Sequence, residues 1–279
     1  MLARVQRFLI TTFEWHVVLN CAFASFVVGM PLILFVPRRF DPDRRLPHRV
    51  GTFFWGRLVW ALNPFWKLEV EGLERLRKGG PYLICSNHQS LLDVLVIMAL
   101  GSDFKWVSGL RFFKIPMFAH YMKATGYIGA DLKNPFSAGA ILEECGAWID
   151  RGVSVGMFPE GTRSRTGEVG LFKSGAFRVA VDRDVPVIPV AIDGSREALP
   201  AGSWSWLGAS PFKRIRVRLL APIELSSLDQ PSATELSRAC RSSIQACLAQ
   251  WRTEGEGGRT EPIRSEVALP EATRASSGR

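Results

Sequence analysis

Residues 82–93 read YLICSNHQSLLD and place three kinds of sequence side by side. The run Tyr82–Ser86 is short and apolar, as in a buried strand. A polar cluster follows it, and residues 94–100 then form an apolar stretch typical of a helix. A strand that passes through a polar turn into a helix is the repeating unit of α/β domains.

The same alternation of short β-rich runs and helical runs continues from Lys67. A helix is predicted after Asn134, with Pro135 at its first position, and another is predicted from the capping box Ser232-x-x-Glu235. The pattern predicts an α/β domain with a mixed, mostly parallel sheet flanked by helices. The predicted strands are Lys67–Val70, Tyr82–Ser86, Phe104–Ser108, Tyr127–Ala130, Ser154–Phe158, Val187–Ile192 and Ile215–Leu220.

The N-terminal region differs from the rest of the chain. Residues 16–36 are 21 residues without a formal charge, about the length that spans a hydrocarbon core. Asn20 within the run is polar, Glu14 lies just before it, and Gly29-Met30-Pro31 is expected to kink or break a helix. A spanning helix and a re-entrant or interfacial helix therefore both stay open. The run is too long for a cleavable signal peptide and lacks a cleavage site, so we expect it to stay on the mature protein.

Residues 50–66 are rich in aromatic side chains around one charge, Arg57. Such a stretch fits the headgroup level of a bilayer or a buried helix of the main domain. We therefore predict residues 1–66 as a membrane-anchoring or interfacial helical segment and residues 67–252 as the main domain. Residues 253–279 hold few large apolar side chains and are expected to be a disordered tail.

The chain carries a net charge of +9, which points to anionic partners such as nucleic acid, an acidic membrane surface, or acidic carriers and substrates. More arginines follow the apolar run than precede it, which places the main domain at the cytoplasmic face of a membrane, interpreted as a bacterial inner membrane. The first 60 residues contain eight arginines and three acidic residues, so this segment is expected to favour anionic lipid. Arg214, Arg216 and Arg218 alternate with apolar residues and predict a basic strand face.

The 5 cysteines are widely spaced and form no CxxC pair or zinc-ligand pattern. We expect them to be reduced and mostly buried, with no metal site. Cys85 lies near the polar cluster and is an alternative nucleophile, but its apolar neighbours favour a place in the core.

His88 and Asp93 are five residues apart in the polar cluster. An aspartate so placed can hold the imidazole in one tautomer while the other ring nitrogen takes a proton from a substrate hydroxyl. This is part of a catalytic triad without its protein nucleophile, so the substrate hydroxyl is the candidate nucleophile. The simpler alternative is that Asn87 and Asp93 cap the helix and His88 is a partly buried polar residue.

A second polar cluster reads FPEGTRSR at residues 158–165, again after an apolar strand, and Phe172-Lys173-Ser174-Gly175 follows. Glycines allow close backbone approach, and guanidinium groups bind phosphate through two hydrogen bonds. The cluster predicts an anion site, with a solvated basic turn as the alternative.

These blocks resemble, over residues 68–220, the glycerolipid acyltransferases, specifically the 1-acyl-sn-glycerol-3-phosphate (lysophosphatidic acid) acyltransferases. Residues 87–93 are similar to the NHxxxxD block, which implies His88 as general base and Asp93 as the residue that orients it. Residues 158–165 are similar to the FPEGTRS block. The resemblance implies that the acceptor and its phosphate are bound by the following residues: Glu160, Gly161, Thr162 and Arg163, with Lys114 in the second block, residues 105–131.

The second block departs from the family pattern, because Gly109 stands where many relatives have a lysine. Arg111, Lys114 or Lys133 is then left to supply that charge. Residues 185–190 resemble a fourth block, usually assigned to acyl-donor binding or to packing.

The implied reaction transfers an acyl chain from acyl-CoA or acyl carrier protein to the sn-2 hydroxyl of 1-acyl-sn-glycerol 3-phosphate, giving phosphatidic acid in phospholipid biosynthesis. It needs no cofactor besides the acyl donor, and the expected partners are a membrane lipid acceptor and the membrane surface, not nucleic acid.

Three alternatives stay open. In the first, the acceptor is another lysolipid, for example a lyso-ornithine lipid. In the second, the chain is a non-catalytic membrane-binding or nucleic-acid-binding protein that uses its positive charge. The third alternative is a lipid hydrolase with Ser90 or Ser174 as nucleophile, although the chain has no G-x-S-x-G motif.

Overall fold

The computed structural model describes residues 2–77, 80–131, 134, 137–203, 205 and 212–257. The strands are β1 (Trp66–Glu71), β2 (Leu83–Ser86), β3 (Phe104–Gly109), β4 (Ile128–Ala130), β5 (Ser154–Met157), β6 (Val187–Asp193) and β7 (Lys213–Leu219). The α-helices are α1 (Leu2–Phe35), α2 (Arg45–Gly51), α3 (Val59–Leu62), α4 (Leu92–Ala99), α5 (Pro116–Ala124), α6 (Ala138–Asp150), α7 (Arg178–Arg183), α8 (Ser195–Ala198) and α9 (Ala233–Gly257). A π-helix, Thr52–Leu58, joins α2 to α3.

The strands form a seven-stranded sheet in the order β1-β7-β6-β2-β5-β3-β4. Strands β6, β2, β5, β3 and β4 run parallel, whereas β7 is antiparallel to β6 and pairs in parallel with β1. The predicted mixed, mostly parallel sheet is confirmed, and every predicted strand is present with ends shifted by at most two residues. Because β2, β5 and β3 are parallel neighbours, the segments that follow them emerge at one edge of the sheet.

Apolar layers cover both faces of the sheet. One layer packs α4, α8 and the N-terminal helices against alternate residues such as Ile84 and Ile188. The other packs α6, α7 and α9 against the intervening residues, including Leu83 and Val187. The period-2 alternation within β2 and β6 therefore supplies both layers at once.

Two predicted helix ends are moved by the structure. The helix predicted after Asn134 begins at Ala138. Ser137 precedes it, and the Ser137 hydroxyl donates a hydrogen bond to the Asn134 carbonyl. Pro135, predicted as the first helical residue, lies outside the described residues. The Ser232 cap is confirmed, since its Oγ accepts the Glu235 N–H at 3.2 Å. Helix α9 continues to Gly257, past the predicted domain end at 252, and the rest of the predicted tail, residues 258–279, lies outside the described residues.

Helix α1 continues through Pro31, contrary to the expected break. Pro31 lies four residues before the end of α1, so the clash of its ring with the carbonyl of Val27 falls within the last turns. In the described part of the chain α1 is the one helix long and apolar enough to cross a membrane, which is by itself weak evidence for membrane association.

One face of α1 packs against the domain and the other is exposed. The buried face includes Val17, Val18, Cys21, Ala22 and Ser25. The exposed apolar side chains are Val5, Phe8, Leu9, Phe13, Leu19, Phe23, Val27, Val28, Leu34 and Phe35. We call these ten side chains the outer face of α1. Ten exposed apolar side chains on one helix are unusual for a surface that contacts only water.

The aromatic stretch at residues 50–66 fits both of its predicted interpretations in part. Val59 is fully buried, and Gly56 packs against the backbone of Met98 so closely that a β-carbon there would lie 2.4 Å from the Met98 carbonyl oxygen. Phe53, in contrast, is exposed. The stretch is therefore a packed support for α4 with an exposed apolar edge.

Buried polar groups fix the segment between α1 and the π-helix against β3. Lys105 Nζ donates to the backbone oxygens of Asp43 (2.5 Å) and Thr125 (2.7 Å), and burial lowers the pKa of Lys105 to about 8. The His48 ring nitrogens lie 2.9 Å from the Tyr127 hydroxyl and 3.0 Å from a backbone oxygen, and burial lowers the pKa of His48 to about 4. Residues 36–51 are thus bound to the domain by specific hydrogen bonds.

The basic strand face predicted for β7 is neutralised. Arg214 and Arg218 form ion pairs with two glutamates of β1, at 2.7 and 2.6 Å, and Arg216 pairs with Glu254 of α9 at 2.7 Å. Arg216 and Arg218 also stack on Trp251. This face therefore offers little free positive charge to an anionic partner.

The prediction that the cysteines are reduced and mostly buried is confirmed. All five thiols are free and buried in the structure. Burial raises the pKa of Cys85 well above its usual value, which removes it as a nucleophile near neutral pH.

Candidate active site

The two polar clusters meet at the carboxyl edge of the sheet. Residues 87–91 connect β2 to α4, and residues 158–173 follow the neighbouring strand β5. The Ser164 N–H donates to the His88 carbonyl at 2.7 Å, which joins the two segments directly.

His88 and Asp93 form the pair that their spacing predicts. His88 Nδ1 lies 2.9 Å from Asp93 Oδ2, the Asp93 side chain is fully buried, and that of His88 is 13% exposed. The same Asp93 oxygen accepts the backbone N–H groups of Gln89 (2.6 Å) and Ser90 (2.8 Å). Three donors therefore hold one carboxylate oxygen against the imidazole and fix Nδ1 as the protonated nitrogen. Among the described residues His88 Nε2 has no hydrogen-bond partner.

The turn that carries this pair is locked to the rest of the sheet. The Asn87 amide exchanges two hydrogen bonds with the backbone of Ile192 on β6, both 2.9 Å, so it does not cap α4 as the simpler alternative supposed. The Ser90 hydroxyl donates to the Leu199 carbonyl at 2.7 Å and is fully buried. Ser90 is thus a structural residue and not a free nucleophile.

Phe158 forms the floor of the site. Its ring stacks on the imidazole of His88 with centroids 3.8 Å apart and an interplanar angle of 3°. Trp106 on β3 also packs against Phe158, edge to face with centroids 4.8 Å apart. The imidazole is therefore held by its Nδ1 hydrogen bond and by its flat face.

Glu160 bonds to backbone groups of the protein itself. Its Oε1 accepts the His88 N–H at 2.8 Å, and its Oε2 accepts the Gly170 N–H at 3.0 Å. Burial raises the pKa of Glu160, while these two N–H groups act in the opposite direction. Both oxygens are engaged, so the geometry makes Glu160 a positioning residue that ties His88 to the loop at 170.

Gly161 and Thr162 form the turn between Glu160 and Arg163. Gly161 has φ +71°, a left-handed conformation that favours glycine, and its N–H donates to the Phe158 carbonyl at 3.0 Å. Thr162 is exposed at the surface of this turn. Both residues shape the loop that presents Arg163.

Cationic side chains occur in the segments that follow β3 and β5. Arg163 is half-buried, and burial together with the charge of Arg111 lowers the pKa of Arg163. Lys173 approaches the same loop, since a β-carbon on Gly161 would lie 3.1 Å from its Nζ. Lys114 is exposed at the end of the short 3-10 helix after β3, and in the described part of the chain nothing joins it to Arg163; Lys133 lies outside the described residues.

Two other expectations concern ligands. No group of three or more His, Cys, Asp or Glu side chains that could hold a metal ion occurs in the described residues. The fourth block, residues 185–190, contributes Val187, Ile188 and Val190 to the core, all fully buried, which favours packing over donor binding.

Comparison with known proteins identifies the family. The Acyltransferase family model matches residues 67–193. A chloroplastic 1-acyl-sn-glycerol-3-phosphate acyltransferase of Arabidopsis thaliana is 36% identical over 204 residues, 73% of this chain and 55% of that protein. A protein of the same name from Chlamydomonas reinhardtii is 30% identical over 250 residues, 89% of this chain and 71% of its own length. The chain belongs to the 1-acyl-sn-glycerol-3-phosphate acyltransferase family. It matches little more than half of the length of the Arabidopsis relative.

The fold is also that of a solved family member. The crystal structure of the 1-acyl-sn-glycerophosphate acyltransferase from Thermotoga maritima superposes with a TM-score of 0.71 at 23% identity, covering 89% of this chain and 97% of that one. The match therefore covers most of the chain described above.

Sequence reasoning placed His88, Asp93 and Arg163 at one site but missed how they are supported. Neither the ring stack of Phe158 nor the Gly170 contact of Glu160 follows from local spacing. The glycine-rich loop downstream of the FPEGTRS block is the sequence feature that could have indicated the contact between Glu160 and Gly170.

Proposed function

We propose that this protein transfers an acyl chain from a thioester donor, acyl-CoA or acyl carrier protein, to the sn-2 hydroxyl of 1-acyl-sn-glycerol 3-phosphate. The product is phosphatidic acid. The observation that carries the proposal is the His88–Asp93 pair, whose Nε2 has no partner among the described residues and lies beside the loop that presents Arg163. The names of the relatives support the choice of acceptor.

The chemistry follows from this pair. His88 Nε2 takes the proton of the acceptor hydroxyl as its oxygen attacks the thioester carbonyl carbon. When the tetrahedral intermediate collapses, the carbon–sulfur bond breaks and the thiolate takes the proton from the imidazolium, so an ester and a free thiol result. The Asp93 carboxylate, 2.9 Å from Nδ1, stabilises the imidazolium between the two steps.

Binding of the acceptor is assigned to the cationic groups. Arg163 has no carboxylate or hydrogen-bond partner among the described residues, and a guanidinium matches the geometry of a phosphate. Lys173 adds positive charge to the same loop. Glu160, Gly161 and Thr162 act by shaping that loop rather than by touching the phosphate.

We also assign the outer face of α1 to the bilayer, since acceptor and product are membrane lipids. The buried face of the same helix packs on the domain, which favours a helix lying along the membrane surface with its outer face in the lipid. The active site then lies at that surface, on the cytoplasmic side that the arginine bias predicts.

The test measures acyl transfer from labelled acyl-CoA or acyl carrier protein to a panel of lysolipids, using membranes that contain wild type or His88→Ala. Transfer to lysophosphatidic acid that is lost in the variant, while membrane association persists, supports the proposal. Selective transfer to a different lysolipid would keep the mechanism and replace the acceptor. Release of free fatty acid without acceptor would indicate a hydrolase, and a variant with normal turnover would exclude His88 as the base.

A further inference from the structure

Trp106 is a buried tryptophan beside the candidate site that the proposed mechanism does not use. It lies on β3, is 6% exposed, and packs edge to face against Phe158 with centroids 4.8 Å apart. Phe158 in turn stacks on the His88 imidazole, with centroids 3.8 Å apart and an interplanar angle of 3°. Trp106 therefore contacts the ring that lies against the face of the imidazole.

Gly156 on β5 leaves the space that the indole occupies. It is the cross-strand partner of Trp106 in the parallel pairing of β3 with β5. A β-carbon on Gly156 would lie 2.9 Å from two carbon atoms of the indole, closer than β-carbons approach other atoms in folded proteins. The φ angle of Gly156 is not positive, so the close approach of the ring, and not backbone conformation, accounts for the glycine.

The strand period places Phe158 on the same face as Gly156, because residues two apart share one face of a strand. Trp106 and Phe158 accordingly belong to one apolar layer, whereas Met157 belongs to the opposite layer. Phe104, two residues before Trp106, packs against the indole with centroids 5.9 Å apart. The indole is therefore enclosed by Phe104, by the β5 backbone and by Phe158, and its position is set by all three.

The imidazole needs a second support besides its hydrogen bond. The bond between Nδ1 and Asp93 fixes one ring nitrogen, but hydrogen bonds tolerate a range of angles, and the terminal torsion of histidine is broad. A ring stacked flat on the imidazole limits this tilt. A base displaced by about 1 Å from its substrate loses about 100-fold in rate, so the tilt matters for Nε2.

We propose that Trp106 is a positioning residue for the general base, because it holds the Phe158 ring against the face of the His88 imidazole. Gly156 is the residue that admits the indole to this place. The inference rests on the proposed function and deepens it, since it adds a residue outside both polar clusters to the support of the base. Trp106 acts through another side chain and not on a substrate, so its loss should affect kcat rather than KM.

The first measurement is steady-state kinetics of Trp106→Leu, with lysophosphatidic acid and the acyl donor both varied. The kcat should fall about 10- to 100-fold while both KM values stay within about threefold of wild type. Trp106→Phe keeps an aromatic ring at this position and should recover most of the lost kcat. The matched control is Trp251→Leu, which removes a similarly buried indole, 2% exposed, from the opposite apolar layer and should leave kcat unchanged.

The second measurement reports on the imidazole without relying on turnover. A ring stacked on His88 shifts the protons of the imidazole upfield in NMR spectra, and the chain has only 4 histidines to label selectively. The spectrum of His88→Ala identifies the His88 signals by their loss. In Trp106→Leu these signals should move toward those of the exposed His120, and in Trp106→Phe they should stay near their wild-type positions.

Gly156→Ala tests the same arrangement from the neighbouring strand. The added methyl group meets the indole, so kcat should fall and the His88 signals should move. In the Trp106→Leu background the two indole atoms are gone, and the same substitution should change kcat by a smaller factor than in wild type. Because Gly156→Ala removes no core side chain, it carries the test if Trp106→Leu does not fold, which thermal melting reports.

Two results would overturn this inference alone. The first is a folded Trp106→Leu protein whose kcat stays within about threefold of wild type. The second is a lower kcat with unmoved His88 signals, or with no recovery in Trp106→Phe, since either result indicates lost packing without displacement of the base. A wild-type protein that transfers no acyl chain to any lysolipid would instead overturn the proposed function, and this inference with it.

Discussion

The substitution Asp93→Asn separates the charge of the proposed catalytic pair, His88 and Asp93, from its geometry. An asparagine oxygen in the place of Oδ2 can still accept from His88 and from the N–H groups of Gln89 and Ser90, now at 2.9, 2.6 and 2.8 Å. The new amide nitrogen falls where Asp93 Oδ1 is buried without a partner. The turn can therefore keep its shape while the negative charge disappears.

The magnitude follows from the position of the lost charge. A full charge about 4 Å from the imidazolium, in surroundings of effective dielectric constant about 20, is worth about 4 kcal/mol as an upper value. The loss of a hydrogen bond to a charged group typically costs about 1.5–3 kcal/mol. A change of about 2–4 kcal/mol in the barrier corresponds to a fall in kcat of about 30- to 1000-fold.

The assay follows thiol release from acyl-CoA with saturating lysophosphatidic acid, and thermal melting reports the fold. Asp150→Asn is the control, because Asp150 is an exposed carboxylate that pairs with Arg183 at 3.4 Å, away from the site. A folded Asp93→Asn protein whose kcat stays within about threefold of wild type, well under 1 kcal/mol, would refute the role given to the charge.

Three further outcomes are expected. Glu160→Gln should lower kcat about 10- to 100-fold, because glutamine has one acceptor oxygen for the two backbone N–H groups that Glu160 accepts. The control Glu168→Gln, at an exposed position, should leave kcat unchanged. Equal activities of the two variants would contradict the positioning role of Glu160. Phe23→Glu should weaken partition into anionic lipid vesicles at least about 10-fold in a sedimentation assay. The control Val70→Glu, on β1, should bind vesicles as wild type does. Unchanged binding of Phe23→Glu would contradict the assignment of the outer face of α1 to the bilayer. The pKa of Lys105 is lowered to about 8 in the folded protein, which then binds fewer protons than the unfolded chain up to the usual lysine pKa of about 10.4. The free energy of unfolding of wild type should accordingly rise with pH across that window relative to Lys105→Met, by up to about 3 kcal/mol in denaturant titrations, and parallel pH profiles would contradict the shift.

The α/β fold was accessible from the sequence because its strands are short apolar runs separated by polar turns. Ile84 and Leu83 occupy opposite faces of β2, and this period-2 pattern is local. The continuity of α1 through Pro31 was not accessible, because packing of one helix face on the domain outweighs the local cost of the proline. The ion pairing of the β7 arginines could not be predicted from the sequence for a similar reason, since their glutamate partners lie on β1 and α9.

For the candidate site, the sequence by itself predicted the contact between His88 and Asp93, since a turn between a strand and a helix brings side chains five residues apart together. It also placed Arg163 after a strand end. Only the tertiary structure decided that Phe158 supports the imidazole and that Glu160 accepts a hydrogen bond from the His88 backbone. These contacts depend on β5 lying between β2 and β3 in the sheet, although β3 precedes β5 in the chain. Periodicity reports which face a residue occupies, but the order of strands is set by the packing of all the helices and strands together, so these neighbours appear only in the folded protein.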